Sequence, residues 1–154
     1  MIYKATEDNV IDILSMIEEY AMESKLPINF SYDHSKEIIT KTVNSTNSFI
    51  LVYETNFDYK GFLLGSIIHF FSEEKVLDIS MLYVLQQHRK TLSGIGIKLV
   101  NEAINLAKSV GCEITLVGSS IMSSPDTEVK LNQALRSYDF KHLGEAFYRE
   151  IKGE

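Results

Sequence analysis

The chain has 154 residues, 45% hydrophobic and 23% charged, with a formal net charge of −6. That length predicts one domain over residues 1–154, able to bury roughly two-thirds of its unfolded surface without staples, and no apolar run approaches the ~20 residues of a membrane-spanning helix. The acidic balance argues against duplex nucleic acid, whose phosphates demand a basic face, and suits cationic partners such as amines or lysine-rich protein segments.

Residues 2–5 read as a short first strand. Thr6 or Asp8 caps a helix running to about Met22, with Val10, Ile13, Leu14, Ile17 and Ala21 on one face. The stretch SKLPINFSYD is a loop, and Asp33 caps a second helix carrying Ile38, Ile39 and Val43 inward. Residues 49–53 and 61–71 are β-rich and joined by the polar segment ETNFDYK, which predicts an antiparallel hairpin. The next strand is 76–84. A helix then runs from after Gly96 to about Val110, with Val100, Ala103, Ile104 and Ala107 inward and Gly111 as its stop. Residues 113–117 form a strand, Asp126 caps a helix to about Tyr138, and 140–151 reads as a closing hairpin or strand. The predicted order β-α-α-β-β-β-α-β-α-β is an α/β (α+β) arrangement: a mixed, largely antiparallel sheet flanked by helices, with one parallel crossover. Cys112 is the one cysteine, so no internal disulfide forms. The start, MIYKATEDN, lacks the basic and apolar regions of a signal peptide. Both features lead us to expect a cytoplasmic protein.

The stretch 86–100, QQHRKTLSGIGIKLV, carries the most specific chemical signal. A strand enters it and an amphipathic helix leaves it. Between them lie Arg89 and the run Ser93-Gly94-Ile95-Gly96. Glycines let a backbone approach a ligand closely, and the first amides of a helix lie unpaired at its positive end; together they bind phosphate groups. The dinucleotide fingerprint Gly-x-Gly-x-x-Gly fails because Leu99 occupies the third glycine's place, and no Gly-Lys-Ser/Thr of a P-loop occurs.

The loop and the element order together resemble the GNAT superfamily of acyl-CoA-dependent N-acetyltransferases. Leu82-Tyr83-Val84 matches the family's Leu-x-Val strand end, Arg89 its Arg/Gln, and Gly94-Ile95-Gly96 its Gly-x-Gly at a helix start. The opening Lys4-Ala5-Thr6 and the tail RSYDFKHLGEAFYREI are also similar to the family's. Two departures stand out. Gly96 lies seven residues beyond Arg89, more than the usual spacing. Either Lys90-Thr91-Leu92 contains an insertion, which helix length favours, or Gly94 takes the second-glycine role. The latter register, Arg-x-x-Leu-Ser-Gly, resembles bacteriophage-encoded members, whose setting is the host cytoplasm. The other departure is Asp139, which replaces the glycine of the family's Gly-Phe pair; Asp is less at ease there if φ is positive.

The resemblance implies acetyl-CoA as co-substrate. Its pyrophosphate lies on amides of Leu92, Ser93, Gly94, Ile95 and Gly96, with Arg89 or Lys90 adding charge and Thr91 alongside. The pantetheine arm enters a gap between splayed parallel strands and borrows backbone groups of Leu82 and Val84, as an added strand does. The Val84 amide is the candidate donor to the thioester oxygen. Ser119 and Ser120, after the second strand, are candidates to hydrogen-bond the cofactor. Transfer to an amine needs a base. Asp78 leads, since Asp78 and Ser80 alternate with Leu82 and Val84 on a strand face the family turns to the acceptor. Glu23, before the acceptor-side loop, is the alternative, and His69 a lesser one. The family's thiolate-protonating tyrosine falls on Leu135 here, so Tyr138, one turn on, or Tyr148 takes that expectation. His34, His88 and His142 show no ligand spacing, so no metal is expected. The acceptor is a small-molecule or protein amine, read by segments 23–33 and 54–60. A homodimer is common for the architecture. The competing reading is a non-catalytic acyl-CoA-binding or protein-interaction module of the same fold, motivated by the missing tyrosine and the altered glycine spacing.

Overall fold

The most apolar run of the chain, Phe49-Ile50-Leu51-Val52, leaves neither face polar, the pattern of a strand buried on both sides. The computed structural model, which describes residues 1–24, 29–89, 94–118, 125–141, 143 and 149–151, with 125–129 as backbone alone, makes it the centre of strand β2 (Ser48–Thr55). Those four side chains are at most 3% exposed. Strand β3 (Asp58–His69) folds back on β2 through Asn56 and Phe57, both at positive φ (52° and 60°). That mirror-image turn matches the natural strand twist. Much of the polar segment expected as a turn is therefore strand. Strand β1 (Ile2–Lys4) pairs antiparallel with β2, and β4 (Lys75–Val84) antiparallel with β3. Strand β5 (Cys112–Val117) pairs parallel with β4, so the described residues form a five-stranded sheet in the order β1-β2-β3-β4-β5. The expected meander and parallel crossover are both present.

The sheet divides two apolar layers. Helices α1 (Val10–Glu23) and α2 (Tyr32–Val43) cover one face, packing Ile13, Leu14, Ile17 and Ile39 on Ile50, Val52, Phe62 and Tyr83. Helix α3 (Ile95–Ser109), the crossover, covers the other with Leu99, Val100 and Ala103 on Leu51, Leu63, Leu77 and Ile79. Helix α4 (Pro125–Ser137) follows β5.

Several expectations change at this level. The Ser31 hydroxyl caps α2 by accepting from the His34 amide (3.4 Å), while Asp33 stands in the first turn. Ile38 is 45% exposed and not in the core. A 3-10 turn, Glu7–Asn9, precedes α1, and the Asn9 side chain accepts from the Thr6 amide at 2.9 Å. Helix α3 begins at Ile95 rather than after Gly96, capped by Gly94. Gly111, at φ 87°, ends the crossover helix as expected. Half of 140–151 lies outside the described residues, and none of those described there is in a strand.

The end of α4 has a specific consequence. Phe140 N donates to Leu135 O (3.1 Å) and Asp139 N to Arg136 O (3.2 Å), a paired closure that puts Asp139 at φ 65°. A left-handed L-residue is strained by roughly 1–2 kcal/mol, part of which glycine returns as lost chain entropy. Asp139→Gly should therefore raise stability by about 0.5–1 kcal/mol in urea denaturation; a fall in midpoint would contradict this reading of the cap.

Candidate active site

The site forms at the C-terminal end of β4. Leu85 N donates to Lys60 O at 2.9 Å, so Leu85 faces β3. Along an antiparallel ladder, successive residues alternate between bonding the partner strand and turning N–H and C=O away from it. Counting back through the register, Tyr83 faces β3, and Leu82 and Val84 direct their backbone groups to the opposite edge. On that edge β5 accompanies β4 only to the pair Ile79↔Val117, with Gly118 N reaching Ile79 O at 3.3 Å. Among the described residues, no strand pairs with the β4 edge beyond that point, where the Val84 carbonyl accepts from Arg89 Nε. The amides of Leu82 and Val84 thus lie along an edge that β5 does not cover.

Helix α3 starts beside this edge. Gly94, at φ 96° and ψ 4°, turns the chain into the helix; a Cβ there would meet nothing within 4 Å, so the glycine answers backbone conformation rather than crowding. The first intrahelical bond is Lys98 N to Gly94 O (2.8 Å). The amides of Ile95, Gly96 and Ile97 therefore have no acceptor within the helix. No acidic residue stands in this first turn to neutralise its positive end. A Cβ on Gly96 would sit 3.7 Å from Leu82 Cδ2 and 4.0 Å from Val84 Cγ2, which places the helix start directly over the end of β4. A helix start with free amides and a strand edge without a neighbouring strand thus adjoin among the described residues, a combination suited to a phosphorylated, amide-bearing chain.

On the other face, Arg89 and Glu23 meet. Arg89 Nη1 lies 2.8 Å from Glu23 Oε2, and Nη2 donates to Oε1 at 3.1 Å. Nε donates to the Val84 carbonyl at 2.7 Å, and the guanidinium lies 5.1 Å from the Tyr83 ring centroid. The Tyr83 hydroxyl donates to Glu23 Oε1 at 2.6 Å. Burial, and then the hydrogen bond to Glu23, push the Tyr83 phenol well above its usual range, so it stays a donor. Glu23 ends α1, where the helix dipole disfavours a carboxylate and the last turn holds no basic residue; Arg89 supplies the missing positive charge.

The Asp78 expectation needs a correction. Leu64 pairs with Met81 but Gly65 with Ile79, so Ser80 is an extra residue, a β-bulge. The bulge reverses the alternation of side chains. Leu77 and Ile79 pack on the α3 side, and so do Leu82 and Val84. Asp78 therefore does not share their face: it falls on the α1/α2 side with Met81 and Tyr83, opposite Ser66, and is half-buried. His69 lies exposed at the far end of β3, pairing with Lys75, away from the end of β4. Tyr138 is 52% exposed just past α4, whereas Leu135 is buried. Cys112 is half-buried, and burial raises its thiol pKa, which makes it a poor nucleophile. Lys90, Thr91, Leu92, Ser93 and Ser119 lie outside the described residues, as do Ser120, His142 and Tyr148.

Residues 13–123 match the acetyltransferase (GNAT) family. The chain belongs to this family. The GNAT assignment makes it an acyltransferase and accounts for the mixed sheet, the β4 edge that β5 does not cover and the capped start of α3. No protein of curated function matches it in sequence. Among solved structures, the chain is similar to an aminoglycoside acetyltransferase from an uncultured soil metagenomic sample, in complex with sisomicin, at 21% identity over 99% of this chain and 96% of that one (TM-score 0.72). It is similar to an aminoglycoside N-acetyltransferase in complex with CoA at 14% identity, covering 97% and 93% (TM-score 0.77). A ribosomal-protein-alanine N-acetyltransferase from Brucella melitensis biovar Abortus 2308 is also similar, at 10% identity over 98% and 99% (TM-score 0.70). At these identities the likeness is one of fold.

Two features of the GNAT site escaped sequence reasoning. In the sequence Tyr83 is only the middle of a Leu-x-Val pattern; its signal is an aromatic residue of opposite parity to its neighbours, hence facing α1. The Ser80 bulge left no local mark, because VLDISMLYV alternates well enough to pass for one regular strand.

Proposed function

We propose that the protein moves an acetyl group from acetyl-CoA directly to a primary amine of a small molecule or a protein. The observation that carries this reading is the adjacency of the β4 edge that β5 does not cover to the free amides at the start of α3. The pyrophosphate lies on the amides of Ile95, Gly96 and Ile97, which have no acceptor within α3. The pantetheine arm follows the β4 edge at Leu82 and Val84, and the Val84 amide donates to the thioester oxygen. The amine nitrogen attacks the thioester carbon, the C–S bond breaks, and the CoA thiolate leaves. A base removes the ammonium proton, and an acid or water protonates the thiolate. Asp78, on the α1/α2 face of β4, is assigned the first task through a chain of water, and Tyr138 the second. A net charge of −6 supports a cationic acceptor.

The test is CoA thiol release from acetyl-CoA with an aminoglycoside and with an alanine-initiated peptide. Release with either amine supports transfer. Binding of acetyl-CoA with no release to any of a broad amine panel would replace it by the non-catalytic module. Asp78→Asn is expected to lower kcat by about 10²-fold, with the loss easing as pH rises and the free amine accumulates; unchanged turnover would remove Asp78 from the mechanism.

A further inference from the structure

We propose that Arg89 is a positioning residue, an internal latch that fixes the Val84 peptide and ties it to the end of α1, rather than a ligand of the donor's phosphates. The proposal rests on the acetyl-transfer reading above and assigns a part of its machinery. Every nitrogen of the guanidinium has a partner inside the protein: Nε on Val84 O, Nη1 and Nη2 on the two oxygens of Glu23. This is the paired fork geometry that makes arginine–carboxylate contacts directional. The Arg89 and Glu23 side chains are only 19% and 25% exposed, so water screens the pair weakly. The Tyr83 ring under the guanidinium and its hydroxyl on Glu23 hold the pair from a third side.

The Val84 carbonyl points to the open edge of β4, where β5 no longer supplies a partner, as the phase of the ladder requires. Without Arg89 that carbonyl would have no described partner, and rotation at Val84 would be freer. The amide on the same residue is the proposed donor to the thioester oxygen, and such a donor works by being held in place before the reaction. Glu23 is the last residue of α1, where the chain leaves for the segment between α1 and α2. The latch therefore joins the helix on the acceptor side to the strand on the donor side.

The experiment compares acetyl-CoA with acetyl-pantetheine, which carries the same thioester and arm without phosphates, in wild type, Arg89→Gln, Glu23→Gln and the double variant. A latch predicts that Arg89→Gln lowers kcat about tenfold with both donors and leaves KM for acetyl-CoA near its original value. Glu23→Gln, nearly isosteric and expected to fold, should lower kcat in the same direction, and the double variant should be no slower than Arg89→Gln. A rise in KM confined to acetyl-CoA would show a phosphate contact and overturn the proposal, as would unchanged kcat in both single variants. Amide hydrogen exchange separates failure of the latch from failure of the acetyl-transfer reading. If wild type turns over neither donor, that reading fails. The latch still requires Glu23→Gln to speed exchange across 85–89 and Arg89→Gln to speed it at 20–24. Unaltered exchange would overturn it.

Discussion

Valine at position 96 should abolish acetyl-CoA binding in a chain that still folds. Gly96 is inside the first turn of α3, with no positive φ to defend. The Cβ of an alanine would rest at ordinary contact distance from Leu82 and Val84. Gly96→Ala should therefore fold and gain up to about 1 kcal/mol from helix propensity. The two extra methyl groups of valine must spread over the helix start, between the amides assigned to the pyrophosphate and the strand edge assigned to the pantetheine arm. Calorimetric titration should show acetyl-CoA affinity falling at least ~100-fold, about 2.7 kcal/mol. Urea denaturation should show a stability change below about 1 kcal/mol. A folded Gly96→Val protein with unchanged affinity would mean that the cofactor does not pass this point.

The largest stability effect is expected at Phe62. Its side chain is fully buried, with ring centroids 6.3 Å from Tyr20 and 6.0 Å from Tyr83. Phe62→Ala removes the centre of this aromatic group, and β2 and α1 cannot close on the space without breaking sheet register. The expected cost is about 3–5 kcal/mol, and the melting temperature should fall by on the order of 10 °C. Tyr83, which holds Glu23, rests against the same ring, so Phe62→Ala should also loosen the Glu23–Arg89 pair. A loss below about 1 kcal/mol would mean that the layer under α1 and α2 repacks freely, contrary to the two-sided burial of β2 and β3.

Local patterning made most of the fold readable in advance. The β-rich run at 49–53 reads as one arm of a hairpin, which the structure buries on both faces, and the spacing of Val10, Ile13, Leu14 and Ile17 faces a core from a helix. The glycine pair at the start of α3 marks a candidate phosphate-binding turn because backbone geometry, not side-chain chemistry, makes such a site. At Asp139 the sequence offers only a condition, strain if φ is positive, and the structure meets it with φ 65°. What escaped the sequence depends on distant partners or on strand register. Glu23 and Arg89 are 66 positions apart, and nothing near either names the other. The bulge at Ser80 moved Asp78 to the opposite face from Leu82 and Val84, a one-residue shift that alternation cannot detect when the flanking residues are apolar on both parities. Ser31 caps α2 ahead of Asp33 because its extended backbone aims the hydroxyl at the first free amides.

The central claim is that the β4 edge and the start of α3 together receive acetyl-CoA. A thermal melt with and without the cofactor tests it most directly. At about 100 times a micromolar dissociation constant the folded state should gain ~2.7 kcal/mol, and the melting temperature should rise by about 5–10 °C. The same addition should leave Gly96→Val unmoved. A wild-type melting temperature that does not change with acetyl-CoA would contradict the account.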